Sequence, residues 1–133
     1  MADMSPPRPA SIVVGIATSG RRDALRDTLA QLDRQELRPQ RILICPSAID
    51  DVDWDHAASL TIAAERIDGQ KGLCAQRNAI LDAAGDADLI VFFDDDYLPT
   101  DRFIAEGERL FRQNPDIVAA TGDVLADSVH GPG

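Results

Sequence analysis

Residues Asp88 to Asp96 read DLIVFFDDD, and this stretch decides the fold. Leu89 to Phe93 form the most apolar run of the chain, and three carboxylates follow without a spacer. A short, nearly continuous run of aliphatic and aromatic residues predicts a strand buried on both faces, as in a parallel sheet covered by helices. In open α/β sheets ligands bind beyond the carboxyl ends of the strands. Asp94, Asp95 and Asp96 stand at that place. Like charges at such short range raise one another's cost of ionisation. A solvated turn tolerates this, but a run that leaves a core strand points to a ligand site.

Working outward from this strand, the rest of the chain supplies the other pieces of an α/β sheet. Ser11 to Thr18 (SIVVGIAT) predicts a buried first strand, ending in the turn Thr18-Ser19-Gly20-Arg21-Arg22. Leu25, Leu29 and Leu32 then recur at helical spacing, predicting a helix to about Gln35. Arg41 to Cys45 (RILIC) predicts a second buried strand, stopped by Pro46. Asp50 to His56 (DDVDWDH) reads as a loop whose aspartates cap and turn the chain. Leu60, Ile62 and Ala64 alternate with small or polar residues, as in a strand covered on one face and lying near a sheet edge. Leu73, Ile80, Leu81 and Ala84 mark one face of a helix from about Gly72, with Gly85 as its stop. A further helix begins at Pro99-Thr100, with Phe103, Gly107, Leu110 and Phe111 facing inward, and Asn114-Pro115 ends it. Ile117 to Ala126 predicts a last strand. Strands alternating with helices in this order imply an α/β fold with a mainly parallel sheet.

Composition narrows the function. The chain has 133 residues, enough for one domain, and its hydrophobic share of 44% supports a real core. Lys plus Arg number 13 and Asp plus Glu 23, a formal charge of −10. No basic stripe is available to neutralise a nucleic-acid backbone, so nucleic acid is excluded as the main partner. Of the acids, 19 are Asp and 4 are Glu. That excess favours loops, caps and ligand sites over helix surfaces. No window approaches a membrane span or a signal peptide, and Cys45 and Cys74 lack metal or redox spacing, so a cytoplasmic protein with reduced thiols is expected.

A hard divalent cation relieves the repulsion of an aspartate run. Mg²⁺ or Mn²⁺ takes oxygen ligands and fills its shell with water and substrate phosphates. On an extended segment Asp94 and Asp96 point together and Asp95 points away. The expected product is a half-built metal site that a diphosphate completes. Cations are available nearby: Arg21 and Arg22 after the first strand, Lys71 before Gly72, and Arg77 on the helix GLCAQRNAIL, whose start favours anions. Other metal and phosphate motifs fail. Asp51-Val-Asp53-Trp-Asp55 lacks the glycine and the bidentate acid of a calcium loop, holding His56 and Ile62 there. Thr18 to Arg21 lacks the order GxxxxGK[ST].

The succession SIVVGIATSGRRDALRDTLAQL, RILICPS and GLCAQRNAILDAAGDADLIVFFDDDYLP resembles the N-terminal, donor-binding half of a family-2 inverting glycosyltransferase of the GT-A fold. The likeness spans residues 11 to 126 and rests on Thr-x-x-Arg after the first strand, G-x-x-x-x-R-N opening a helix, and an Asp-x-Asp (DXD) motif ending an apolar strand. It implies a Rossmann-like, three-layer half domain that binds a nucleotide diphosphate sugar. By the resemblance Thr18, Ser19 and Arg21 contact the nucleotide, and Arg77 lies near base and diphosphate. Asp94 and Asp95 approach the donor, and Asp94 and Asp96 hold the metal. The family often carries an acidic pair after the second strand to recognise the base. Here that place reads Cys45-Pro46-Ser47, with Asp50 or Asp51 as the substitutes. The base carboxylate and the acceptor site belong to a later half. The expected organisation is therefore a disordered, Pro-rich segment 1–10, a donor-binding domain 11–127 and a tail 128–133, with sugar transfer depending on an acceptor half. Self-association through an exposed sheet edge or face is the matching expectation. A non-catalytic α/β interaction or signalling domain is the alternative. A receiver-type module is disfavoured by Thr18-Ser19-Gly20 where acids are needed. The glycine-rich opening of a nucleotidyltransferase is absent.

Overall fold

A computed structural model of the chain describes residues 10–120. Four strands form one sheet: β1 (Ile12–Thr18), β2 (Arg41–Pro46), β3 (Ala63–Arg66) and β4 (Leu89–Phe92). All three pairings are parallel, in the order β3-β2-β1-β4. Parallel neighbours need long crossovers, and the helices α1 (Arg22–Leu32), α2 (Trp54–Ser59), α3 (Leu73–Ala84) and α4 (Phe103–Gln113) lie between or after the strands. The chain direction reverses its progression across the sheet between β1 and β4, a topological switch point.

Side-chain alternation along the strands builds two cores, which makes three layers. Ile12, Val14 and Ile16 of β1 and Ile42 and Ile44 of β2 face Leu25, Leu29 and Leu32 of α1, with Ala57 of α2 and Ile104 of α4 in the same cluster. Val13, Leu43 and Cys45 face the other way, onto Ile80 and Ala84 of α3. Gly15 permits that approach: a Cβ there would stand 2.6 Å from Ile80 Cγ2.

Several expectations need correction. The first helix stops at Leu32 rather than Gln35. The Asp33 carboxylate accepts from Thr61 N–H, Thr61 Oγ1 and Ile62 N–H, and Gln35 bonds Thr100 O and Ile104 N–H, so the chain leaves the helix to tie α1 to its neighbours. Asp50 to His56 is not loop alone. A 3-10 turn spans Ile49–Asp51, and Asp53 caps α2 by accepting from His56 N–H at 3.0 Å. That bond is the main reason the Asp53 carboxyl sits below its usual range, with Arg22 and Arg26 adding to it against some burial. The one-sided strand begins at Ala63 and does lie at the edge beyond β2, with Ile62 buried just before it.

β4 is less covered than its apolarity predicts. Its residues are half-buried and Phe92 is 36% exposed, because β4 is the outer strand of the described sheet and only Phe93 beyond it is deeply buried. On α3 the inward stripe is Gln76, Ile80 and Ala84, while Leu73 and Leu81 are exposed. α4 starts three residues after Thr100 and packs through Ile104, with Leu110 exposed. Residues 117–120 form no strand, and the remainder of the expected strand to Ala126, like residues 1–9 and the tail from 128, lies outside the described residues.

Candidate functional site at the strand ends

The aspartate run is a turn rather than an extended strand end: Tyr97 N–H bonds Asp94 O at 3.2 Å. Aromatic side chains on either side anchor it. Phe93 packs against Tyr97 and Phe103, with ring centroids 5.6 and 5.2 Å away. Two apolar anchors pointing into the core force the three carboxylates between them to distribute over the remaining directions, and each finds a different partner.

Asp95 turns inward and is 9% exposed. Its Oδ2 accepts from Thr18 Oγ1 at 2.8 Å, and its carbonyl accepts from Thr28 Oγ1 at 3.0 Å. These bonds fasten the end of β4 to the end of β1 and to α1, across the switch point. Asp96 accepts from Arg21 Nη1 at 2.6 Å, and the same nitrogen lies 3.8 Å from Asp95 Oδ1. Asp94, with its side chain 73% exposed, pairs with Arg77 at 3.5 Å, and the Arg77 guanidinium also lies 5.9 Å from the Phe92 ring centroid. Three aspartates and two arginines leave one net negative charge at the site. As exposed pairs, the arginine contacts contribute little stability. Their consequence is positional: two guanidinium groups flank the carboxylates.

The turn after β1 is tied to the loop after β2. Gly20, in the left-handed region at φ 68°, donates its N–H to Asp51 Oδ1 at 2.9 Å, and Asp51 Oδ2 accepts from Ala48 N–H at 2.9 Å. Asp51 is thus the acid of this loop that reaches the first turn, while Asp50 is exposed beside it with no hydrogen bond or ion pair among the described residues. Ser47 N–H bonds Thr18 O at 3.0 Å. Ser19 is exposed on the same turn, and Arg22 and Lys71 are exposed and form no ion pair among the described residues. Burial first, and the Asp68 charge second, push the Cys45 thiol up, and neither it nor exposed Cys74 is bridged.

Thr18, Arg21, Arg77, Asp94, Asp95 and Asp96 are therefore linked by direct contacts at the carboxyl ends of β1 and β4, and Ser19 and Asp50 stand at its rim. Two residues of the same region escape sequence reading. Thr28 presents no pattern beyond a helix residue. Gln76 does leave a signal: it falls on the inward stripe with Ile80 and Ala84, where a polar side chain requires partners.

Hard-cation chemistry asks for accessible carboxylate oxygens, and Asp94 and Asp96, with side chains 73% and 34% exposed, present them. Among the described residues no group of three or more His, Cys, Asp or Glu is arranged to hold a metal. A cage made of protein alone is therefore not formed by these residues, and a cation such as Mg²⁺ does not ask for one, since one or two carboxylates serve when water and phosphate supply the rest.

No family model and no curated protein matches the chain. Among solved structures, the fold superposes on TarS of S. aureus, a glycosyltransferase, with a TM-score of 0.60 at 10% sequence identity. The match covers 87% of this chain and 23% of TarS, so the chain spans less than a quarter of that protein. No described helix is long and apolar enough to cross a membrane. The all-parallel four-stranded sheet between helices and this superposition together show a glycosyltransferase-like, Rossmann-type α/β fold.

Proposed function

We propose that the chain is the donor-binding part of a family-2, GT-A-type glycosyltransferase and binds a nucleotide diphosphate sugar together with Mg²⁺ or Mn²⁺. The observation that carries this is the pairing of aspartates with arginines at a switch point: Arg21 on Asp96, Arg77 on Asp94, and Asp95 buried as the anchor between them. A site with net charge −1 does not attract a bare diphosphate. A divalent cation plus diphosphate is close to neutral as a unit, and finds both carboxylate oxygens and guanidinium donors here. Asp94 and Asp96 would hold the ion. When bound, it stabilises the negative charge of a departing nucleotide. Arg21 and Arg77, which flank these carboxylates, would add donors for the charge that grows as the glycosidic bond breaks. Ser19 and Asp50, both exposed, would contact the nucleoside, while Thr18 is buried and would act through its bond to Asp95. Sugar transfer in the whole protein further needs an acceptor site and a carboxylate base to take the hydroxyl proton.

Calorimetric titration with UDP- and GDP-sugars, with and without Mn²⁺, tests the proposal, and Asp96→Ala is the matched variant. Metal-dependent binding in the wild type, lost in Asp96→Ala at unchanged melting temperature, is the expected result. A folded wild type that binds no nucleotide in the presence of metal would overturn it. A second reading, a non-catalytic interaction domain, draws on exposed Leu73, Leu81 and Phe92. It predicts that Asp96→Ala changes nothing, and a concentration-dependent mass for a self-associating chain.

A further inference from the structure

Gln76 on α3 is 3% exposed, and its whole amide is engaged. Nε2 donates to Cys45 O at 2.7 Å and to Thr18 O at 3.1 Å. Oε1 accepts from Gly72 N–H at 3.3 Å and from Ser47 Oγ at 3.5 Å. An amide has two donor hydrogens and two acceptor lone pairs, and all four are used. The opposite orientation would set an oxygen against two carbonyls, so the network also fixes which way the amide points. The four partners come from three segments: the last residue of β1, the end of β2 with its following loop, and the turn that opens α3.

Packing alone does not call for this residue. Ile80 and Ala84 already hold α3 on the sheet, and an aliphatic side chain of similar volume would fill the position without desolvating an amide. What the amide adds, beside the Gly20–Asp51 and Ser47–Thr18 bonds, is a further tie between the β1 turn and the β2 loop that also holds both to the turn opening α3. The loop offers few groups of its own for reading a nucleobase. Cys45 faces the core, Pro46 has no N–H, and the Ser47 N–H is taken by Thr18 O. The exposed acid of that loop is Asp50, and where it stands relative to the β1 turn depends on the segments that Gln76 joins.

We propose that Gln76 is a positioning residue that sets the separation of the β1 and β2 turns and thereby the selectivity of the site between pyrimidine and purine nucleotides. This inference rests on the nucleotide-binding function proposed above. It is tested with Gln76→Leu, by calorimetry with UDP, GDP and pyrophosphate in Mn²⁺, at a temperature where circular dichroism shows the variant folded. The preference between UDP and GDP should fall at least tenfold, while the affinity for pyrophosphate, which has no base, stays within twofold. A merely structural Gln76 would weaken all three ligands alike, and that result, or an unchanged preference, overturns the inference. So does a wild type that binds UDP and GDP equally, which leaves nucleotide binding itself intact. A wild type that binds neither nucleotide refutes the proposed function instead. Should Gln76→Leu not fold, the wild type decides by NMR in Mg²⁺. The Gln76 side-chain amide signals should shift with the preferred nucleotide and not with pyrophosphate, and unmoved signals at saturation refute the inference.

Discussion

Thr18→Val removes one hydroxyl and nearly nothing else, and it tests the link on which the site geometry depends. Valine matches threonine in shape and suits β-structure, so the strand and its packing are retained. The Thr18 hydroxyl donates at 2.8 Å to the Asp95 carboxylate, and both residues are buried. A hydrogen bond to a charged group contributes about 1.5–3 kcal/mol, and a buried acceptor that loses its donor keeps its desolvation cost. Arg21 compensates little, since its nearest nitrogen is 3.8 Å from Asp95 and its side chain is largely exposed. The expected loss is about 2 kcal/mol, measured by urea unfolding with unchanged slope, and a melting temperature lower by roughly 10 °C. Thr18→Ser, which keeps the hydroxyl, should lose less. In a double-mutant cycle with Asp95→Asn the coupling should exceed about 1 kcal/mol. Thr18→Val within about 0.5 kcal/mol of the wild type, the range of ordinary surface substitutions, would refute the anchoring role of Asp95.

Gly15→Ala places a Cβ 2.6 Å from Ile80 Cγ2 and about 3 Å from the Phe92 ring, so α3 must lift from β1, at a cost of about 1–3 kcal/mol by urea unfolding; a neutral substitution would contradict this packing. Burial of the Asp33 carboxyl opposes ionisation, but bonds from Thr61 and Ile62 and the charge of Arg38 outweigh it and hold the group below its ordinary value of 3.8. A lowered folded-state value means that Asp33 stabilises above the unfolded value and loses this as pH falls through the folded one. The stability difference between wild type and Asp33→Asn should accordingly be full at neutral pH and shrink only below about pH 4, whereas a pH-independent difference would contradict it.

What could be read from the sequence was set by burial. β1 and β2 lie inside the sheet and show it as unbroken apolar runs, and all their core positions are covered as that pattern requires. The DLIVFF strand misleads through the same rule, because apolarity reports what a strand can bury and not whether a neighbour is present. Helix ends were less legible, since they depend on distant partners. Asp33 ends α1 by bonding Thr61 and Ile62, some 28 residues on, and no local pattern encodes that contact. The capping role of the Asp-rich loop was legible because Asp53 acts on its own neighbour, His56.

The aspartate run shows where such reasoning stops. Alternation along a strand separates Asp95 from Asp94 and Asp96, but only if the strand continues, and here Phe93 and Tyr97 hold the run as a turn. Which carboxylate lies deepest is settled by a donor 77 residues earlier, Thr18, and by Thr28 on the next helix. Arg21 and Arg77 likewise reach Asp96 and Asp94 only because β1 and β4 are adjacent while α3 covers the other face. Composition announced an acidic chain with Asp in excess. The sheet order converts three of those acids into one anchor and two charged arms, each with its own guanidinium. For that reason Asp95 should govern stability and Asp96 ligand binding, a division that adjacent identical residues do not display in sequence.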